Sequence, residues 1–432
     1  MCNFVGIAII PSFLLFKCAV EYKYGATIVK RLHLHWMSGR VASRVPVCQP
    51  RQEAVQMDHQ KHVCSRHGGA TNVTTTPSLA LFHDRCSIGT AEDVTSLLRN
   101  MGRQINDGDE CGRTALHHAA KNKRKNEQKN EQKTEGQKIV KLLLEKGAYV
   151  NAADHTKRTV FHHASLAGNV QALEALKLHV KYWNIDAVDE EGNTALHHAS
   201  GIGNKEIVEI LLDKRADIDA DDASGCTALH KASENGHKEV VDLLLGRKAD
   251  VDVQDRGRRT ALHAASKNGH EQVVKALLDG GADVNAKDKY RCTALYFASR
   301  EGHGRVVEIL LDERADVNAR GKRECSALLK ASESGHKKVV KMLLDRKANV
   351  GDIEQFGRTA LHVASEKGRI EVVDLLLNEG ALVNARDNIG CTALHTASKN
   401  GYKKVVRRLI SAKADIHAED EDNNTALHLA SW

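Results

Sequence analysis

From about residue 190 onward, the apolar residues fall into one pattern that returns every 33 positions. Each copy opens with a narrow stripe, as at Ala228, Leu229 and Ala232, and continues into a dense run, as at Val240, Val241, Leu243, Leu244 and Leu245. It closes on an alternating stretch such as Ala282 to Arg291, in which turn-forming Asp recurs. The stripe predicts a short helix with one buried face. The dense run predicts a second helix that must be covered on more than one side, and the alternating stretch predicts an extended finger between successive helix pairs.

The register is marked by Thr194, Thr227, Thr260, Thr293, Ser326, Thr359, Thr392 and Thr425. Thr114 and Thr159 belong to the same series, with insertions between them. A fixed period in this range means stacked repeats, which overrides the several globular domains that 432 residues would otherwise suggest. Helices of eight or nine residues are marginal alone, so each repeat must be stabilised by its neighbours.

Two slots set the helix ends. The Thr is followed three residues later by His, as at His117, His162, His197, His230, His263, His362, His395 and His428. Thr at the N-cap accepts a backbone N–H, and a polar side chain at the third helical position can reach back to the cap. The first helix then stops at Gly168, Gly203, Gly236, Gly269, Gly302, Gly335, Gly368 or Gly401, a residue suited to the left-handed conformation that ends a helix. Four more histidines, His237, His270, His303 and His336, follow that Gly. Recurrence at a structural period assigns these rings to structure, because nothing pairs a nucleophile or second base with one copy in particular.

The pattern T-A-L-H-x-A-S-x-x-G-H-x-x-V-V-x-x-L-L-x-x-x-A-D-V-N-A resembles the ankyrin repeat, over about Leu79 to Trp432. The resemblance implies an all-α ankyrin-repeat solenoid of stacked helix pairs with projecting β-hairpin fingers. It also implies a non-enzymatic scaffold that binds another protein through the fingers and the concave face of the first helices. Residues 79–110 resemble a degenerate N-terminal repeat, 121–136 read as a polar insertion in the form of a solvated loop, and 420–432 as a truncated last repeat. Two departures stand out. Ala replaces the usual Pro after Thr, and the Gly expected after the second helix is replaced by Arg215, Lys248, Arg314, Lys347 and Lys413.

Charge divides the chain. Of the net +7, residues 1–78 carry +6, together with all four prolines, and the repeats are close to neutral. Residues 1–78 show no sustained periodicity and read as a basic extension without a core of its own. Phe4 to Phe16 is apolar but short of the roughly 20 residues a bilayer needs, and it lacks the basic flank of a signal peptide. No stable membrane insertion is expected; export or organelle targeting are the weaker alternatives to a cytoplasmic or nuclear protein. Cys226, Cys292, Cys325 and Cys391 share one slot and no Cys-x-x-Cys occurs, which fits reduced thiols. Cys48, His59, His62, Cys64 and His67 lack the spacing of a structural zinc site. No catalytic, cofactor-binding or metal-binding residue is expected.

A candidate partner site lies in the middle fingers. Their tips carry Arg256, Arg258, Arg259, Lys287, Lys289, Arg291, Arg320, Lys322 and Arg323 against Asp255, Asp288 and Glu324. Flanking tips are acidic, as at Asp189 to Glu191, Asp219 to Asp222 and Glu419 to Asp422. Here a turn Gly is replaced by Arg258, Arg291 and Glu324, and the capping His by Tyr296 and Leu329. Tyr290, Tyr296 and Phe297 add aromatic contact candidates. A protein partner with an acidic surface, bound by a monomer, is the expectation. A nucleic-acid-binding array is disfavoured because a phosphate track needs basic residues throughout. An enzyme would need its catalytic part in residues 1–78 or elsewhere.

Overall fold

The computed structural model describes residues 77–122, 132–179 and 183–431. The expectations for residues 1–76, including the cysteine and histidine group at 48–67, lie outside the described residues. From Pro77–Ile88 and Ala91–Met101 onward, ten antiparallel helix pairs follow one another, and a single helix, Ala426–Ala430, closes the series. First helices pack on first helices and second on second, as Ala261–Asn268 does on Ala294–Glu301 and Glu271–Asp279 on Gly304–Asp312. Their apolar residues form one continuous core from Leu79 to Ala426. The architecture is the expected all-helical solenoid.

The capping slot works as its chemistry demands, and then reaches further. At Thr227 the backbone N–H donates to His230 Nδ1 at 3.1 Å, so that nitrogen carries a lone pair. The ring proton is therefore on Nε2, which donates to the Arg259 carbonyl of the next repeat at 3.0 Å. The same double tie recurs at His117, His162, His197, His263, His362 and His395. The histidine after the helix-ending Gly makes a second tie: His303 Nε2 donates to the Lys267 carbonyl at 3.0 Å. Its ring lies where a side chain on Gly269 would be, 2.5 Å from an ideal Cβ, and Gly269 itself has φ +77°. Glycine is required there twice over, by the left-handed backbone and by the ring against it.

The fingers are turns rather than strands. Isolated antiparallel bridges form at Ala153–Thr159, Arg320–Ser326 and Ile353–Thr359, and among the described residues no longer strand is present. All but one of the fingers are closed by an acidic side chain five residues before the capping residue; Asp255 Oδ1, for example, accepts the backbone N–H of Gly257 and of Arg259. Adjacent tips are joined by backbone hydrogen bonds, as from Lys289 N–H to Gly257 O at 2.9 Å. The cations that replace Gly after the second helix, Arg215, Lys248, Arg314, Lys347 and Lys413, all stand at φ between 63° and 67°.

Segment 121–136 differs from a plain loop at both ends. Lys121 ends the helix Ala115–Lys121, and residues 132–136 begin Gln132–Glu145. Glu135 accepts the Ala91 backbone N–H at 2.8 Å, which satisfies a donor at the start of Ala91–Met101. Residues 123–131 lie outside the described residues.

Candidate partner interface on the central fingers

Three successive fingers break the local rules of the array. At the turn position two before the Thr, Gly192 and Gly225 stand at φ 78°. Arg258, Arg291 and Glu324 hold the same left-handed conformation at 59°, 64° and 58°, where a side chain costs about 1 kcal/mol or more. The third finger departs furthest. Gly321 stands where the others have Asp or Glu, the tip Lys322–Glu324 winds into a 3-10 turn, and Arg323 also has a positive φ of 58°. With no carboxylate to close the turn, Lys322 N–H points at Cys292 Sγ at 3.4 Å, replacing the tip-to-tip backbone bond made elsewhere.

The charge balance of these fingers is more one-sided than the sequence count. Asp255 and Asp288 are only 6% and 4% exposed, and their oxygens accept finger N–H groups. Arg259 pairs with Asp255 at 2.7 Å, Arg291 with Glu324 at 3.4 Å, and Arg320 with the buried Asp352 of the following repeat. The acidic groups of the three tips are thus buried or paired. Arg256, Arg258, Lys287, Lys289, Lys322 and Arg323 are exposed, and among the described residues none has a carboxylate within 4.0 Å. What faces outward is positive.

The aromatic candidates separate. Tyr290 is 48% exposed, with Lys289 Nζ and Lys322 Nζ at 5.1 and 4.9 Å from its ring centre. Tyr296 is a correction: it is 5% exposed and packs with Cys292 and Cys325. Filling the slot of a buried capping ring, it turns inward and cannot touch a partner; burial also raises its phenol pKa. Phe297 is half-buried on the helix Ala294–Glu301, with the Arg300 guanidinium 5.4 Å from its ring centre. Neither Tyr296 nor Leu329 can make the ring-to-carbonyl tie of the capping histidines, so that tie is missing at two adjacent repeats. Their caps survive through Thr293 Oγ1 and Ser326 Oγ, which accept the N–H groups of Tyr296 and Leu329 at 3.4 and 3.5 Å.

Sequence reading passed over Phe356. It is 46% exposed, and the Arg323 and Arg358 guanidinium carbons lie 5.8 and 5.6 Å from its ring centre. The signal was available, since Phe356 occupies the same finger position as Tyr290, two repeats on.

The described thiols are ill suited to nucleophilic work. Cys86, Cys226, Cys292, Cys325 and Cys391 form no disulfide, and burial pushes Cys226 up to about 11 and Cys391 up to about 12. A surface groove of about 480 Å³ between Glu271–Asp279 and Gly304–Asp312 is lined largely by charged residues such as Lys275, Arg305 and Glu308, and Arg305 is already paired with Glu308 at 2.8 Å. Among the described residues no group of three or more potential metal ligands comes together, and no helix is long and apolar enough to cross a membrane.

The family described as "Ankyrin repeats (3 copies)" matches at residues 82–182, 132–222, 173–255, 247–321, 320–387 and 381–432. Among solved structures, the ankyrin repeat domain of Bcl-3, a member of the IkappaB protein family, is similar at 32% identity. The similarity covers 48% of this chain and 95% of that one, with a TM-score of 0.44. No curated protein matches the sequence.

Proposed function

The chain belongs to the ankyrin-repeat family, and we propose that it is a non-enzymatic adaptor that holds an acidic protein partner on the fingers of its central repeats. One observation carries this reading: at the tips of three successive fingers Asp255, Asp288 and Glu324 are buried or paired while six cations face outward unpaired. Rim charges of this kind set association rate and partner choice, and their effect weakens as salt shortens the Debye length below about 8 Å. The concave face contributes Phe297 and Arg300 beside the fingers. A nucleic-acid partner is disfavoured by the acidic tips on either side.

The adaptor works as a monomer in the cytoplasm or nucleus, a placement that the unbridged thiols of Cys226, Cys292, Cys325 and Cys391 favour. Residues 79–432 form the working domain, and residues 1–78 are a basic extension.

The test uses the whole chain. Partners are captured and identified by mass spectrometry, and a purified partner is titrated against two variants. One carries Arg258→Glu, Arg291→Glu and Arg323→Glu; the other carries Lys205→Glu, Lys238→Glu and Lys404→Glu on the second helices. The finger variant should lose about tenfold or more in affinity at low salt, and the helix variant should keep it. Equal retention by both, with unchanged circular dichroism, refutes the central-finger site.

A further inference from the structure

Resting on the reading that the fingers bind an acidic protein, we infer that they take an extended polyproline-II segment whose carboxylates recur at every third residue. Arg256, Lys289 and Lys322 occupy one and the same finger position in three successive repeats, and all three are exposed. The same position holds Ala223 before them and Gln355 after them, so the comb has three teeth. Its pitch is fixed by the stack beneath. Arg256 N–H donates to Ser224 O and Lys289 N–H to Gly257 O, both at 2.9 Å, which locks the first two teeth to the tip before each, while Lys322 N–H points instead at Cys292 Sγ of the preceding finger at 3.4 Å.

Neighbouring layers of stacked helices stand about 8 to 10 Å apart, and this spacing selects the conformation of a ligand that meets all three teeth. A β-strand presents one face at every second residue, about 6.6 Å apart, or every fourth, about 13 Å. Neither matches. A polyproline-II helix has three residues per turn and a rise of about 3.1 Å, so positions i, i+3 and i+6 share a face and stand about 9.3 Å apart. Carboxylates at those positions meet Arg256, Lys289 and Lys322 in turn.

Tyr290 fits the same ligand. Its ring lies beside the second and third teeth, 5.1 Å from Lys289 Nζ and 4.9 Å from Lys322 Nζ, and attracts each ammonium group through its π system. Exposed aromatic rings are also the surfaces on which proline-rich segments dock.

The test measures fluorescence anisotropy of three labelled probes with the full chain at about 50 mM salt, where rim charges act strongly. The first probe is a peptide of four Glu-Pro-Pro triplets. The second is its isomer with all four Glu at one end, and the third is a single-stranded DNA of similar length. The triplet peptide should bind about tenfold tighter than its isomer, and Lys289→Ala should remove most of that preference. Tyr290→Ala should weaken the triplet peptide more than the isomer. Equal binding of both peptides, lost together in the charge-reversed finger variant, overturns the three-residue spacing and leaves the acidic-partner reading standing. Tighter binding of the DNA than of either peptide overturns both. Absence of any peptide binding by a chain with unchanged circular dichroism overturns the spacing, and the captured-partner titration then decides the broader reading.

Discussion

Acidification should unfold this solenoid from its N-terminal repeats, through histidines that the fold holds neutral. His117 Nδ1 accepts the Thr114 N–H at 3.0 Å while Nε2 donates to Arg158 O at 3.1 Å. His162 repeats the arrangement with Thr159 and Asn193 at 3.1 and 3.0 Å. A proton on Nδ1 would set two donors against each other in a buried cap. Burial is the main cause that lowers both rings to about 4, from an ordinary value of 6.5. Between those values the unfolded chain binds protons that the folded one refuses. The stabilising contribution is therefore complete above about pH 6.5, falls as pH drops through the window, and levels off near pH 4. With those values, linkage gives a loss of roughly 2 kcal/mol per ring between pH 7 and pH 5, or about 4 kcal/mol for the pair. The Asp109, Asp154 and Asp189 carboxylates titrate below this window despite burial, because hydrogen bonds from His118, His163 and His198 hold them low. They do not offset the loss.

Trp183 provides the local probe, since its ring stacks on Phe161 at 4.6 Å within the affected repeats. In a Trp36→Phe, Trp432→Phe background, urea titrations followed by Trp183 fluorescence at pH 7 and pH 5 should show the loss. Hydrogen exchange at pH 5 should open residues 115–167 before residues 228–301. The double variant His117→Leu, His162→Leu imitates the chain's own Leu329 in that slot. It should be less stable at pH 7, by about 1 kcal/mol for each lost tie, and should lose part of the dependence on pH, because burial also lowers His83 to about 4 and His163 to about 3 and these rings remain. Wild-type stability at pH 5 within about 1 kcal/mol of that at pH 7 would refute the reasoning.

Three further outcomes follow from single positions. Gly269→Ala should cost about 2 to 3 kcal/mol in urea unfolding, since its Cβ would meet the His303 ring, whereas Gly401→Ala, at φ +71° with nothing within 4 Å, should cost only about 1; equal costs would discard the ring contact. Ser266 Oγ is buried without a hydrogen-bond partner, and the same slot holds Ala120 in an earlier repeat. Ser266→Ala should therefore leave the melting temperature unchanged or raise it, by up to about 1 kcal/mol of stability, and a clear fall would show that the hydroxyl is bonded after all. Arg291→Gly should stabilise the fold by about 0.5 to 1 kcal/mol by relieving the left-handed side chain, while giving up only an exposed ion pair with Glu324. A destabilised Arg291→Gly protein in the same urea assay would mean that the turn is not strained.

The sequence alone determined the period, the helix pairs and the helix ends. Those features depend on interactions within a few residues: Thr227 caps a helix whose third position is His230, and Gly236 ends it by adopting φ +79°. It also marked the middle fingers as irregular, because replacements such as Arg291 for Gly are visible in register. Only the stacked structure decided what those residues face. His230 reaches a carbonyl 29 residues on, and Tyr296 turns into the core beside Cys325. Asp255 and Asp288 disappear into their own turns, and Phe356 comes to lie against Arg323 of the preceding finger. None of these follows from local propensity. Each depends on which surface the next repeat lays against the one before, and it is that burial which removes the acidic groups and leaves the outward charge of the fingers positive.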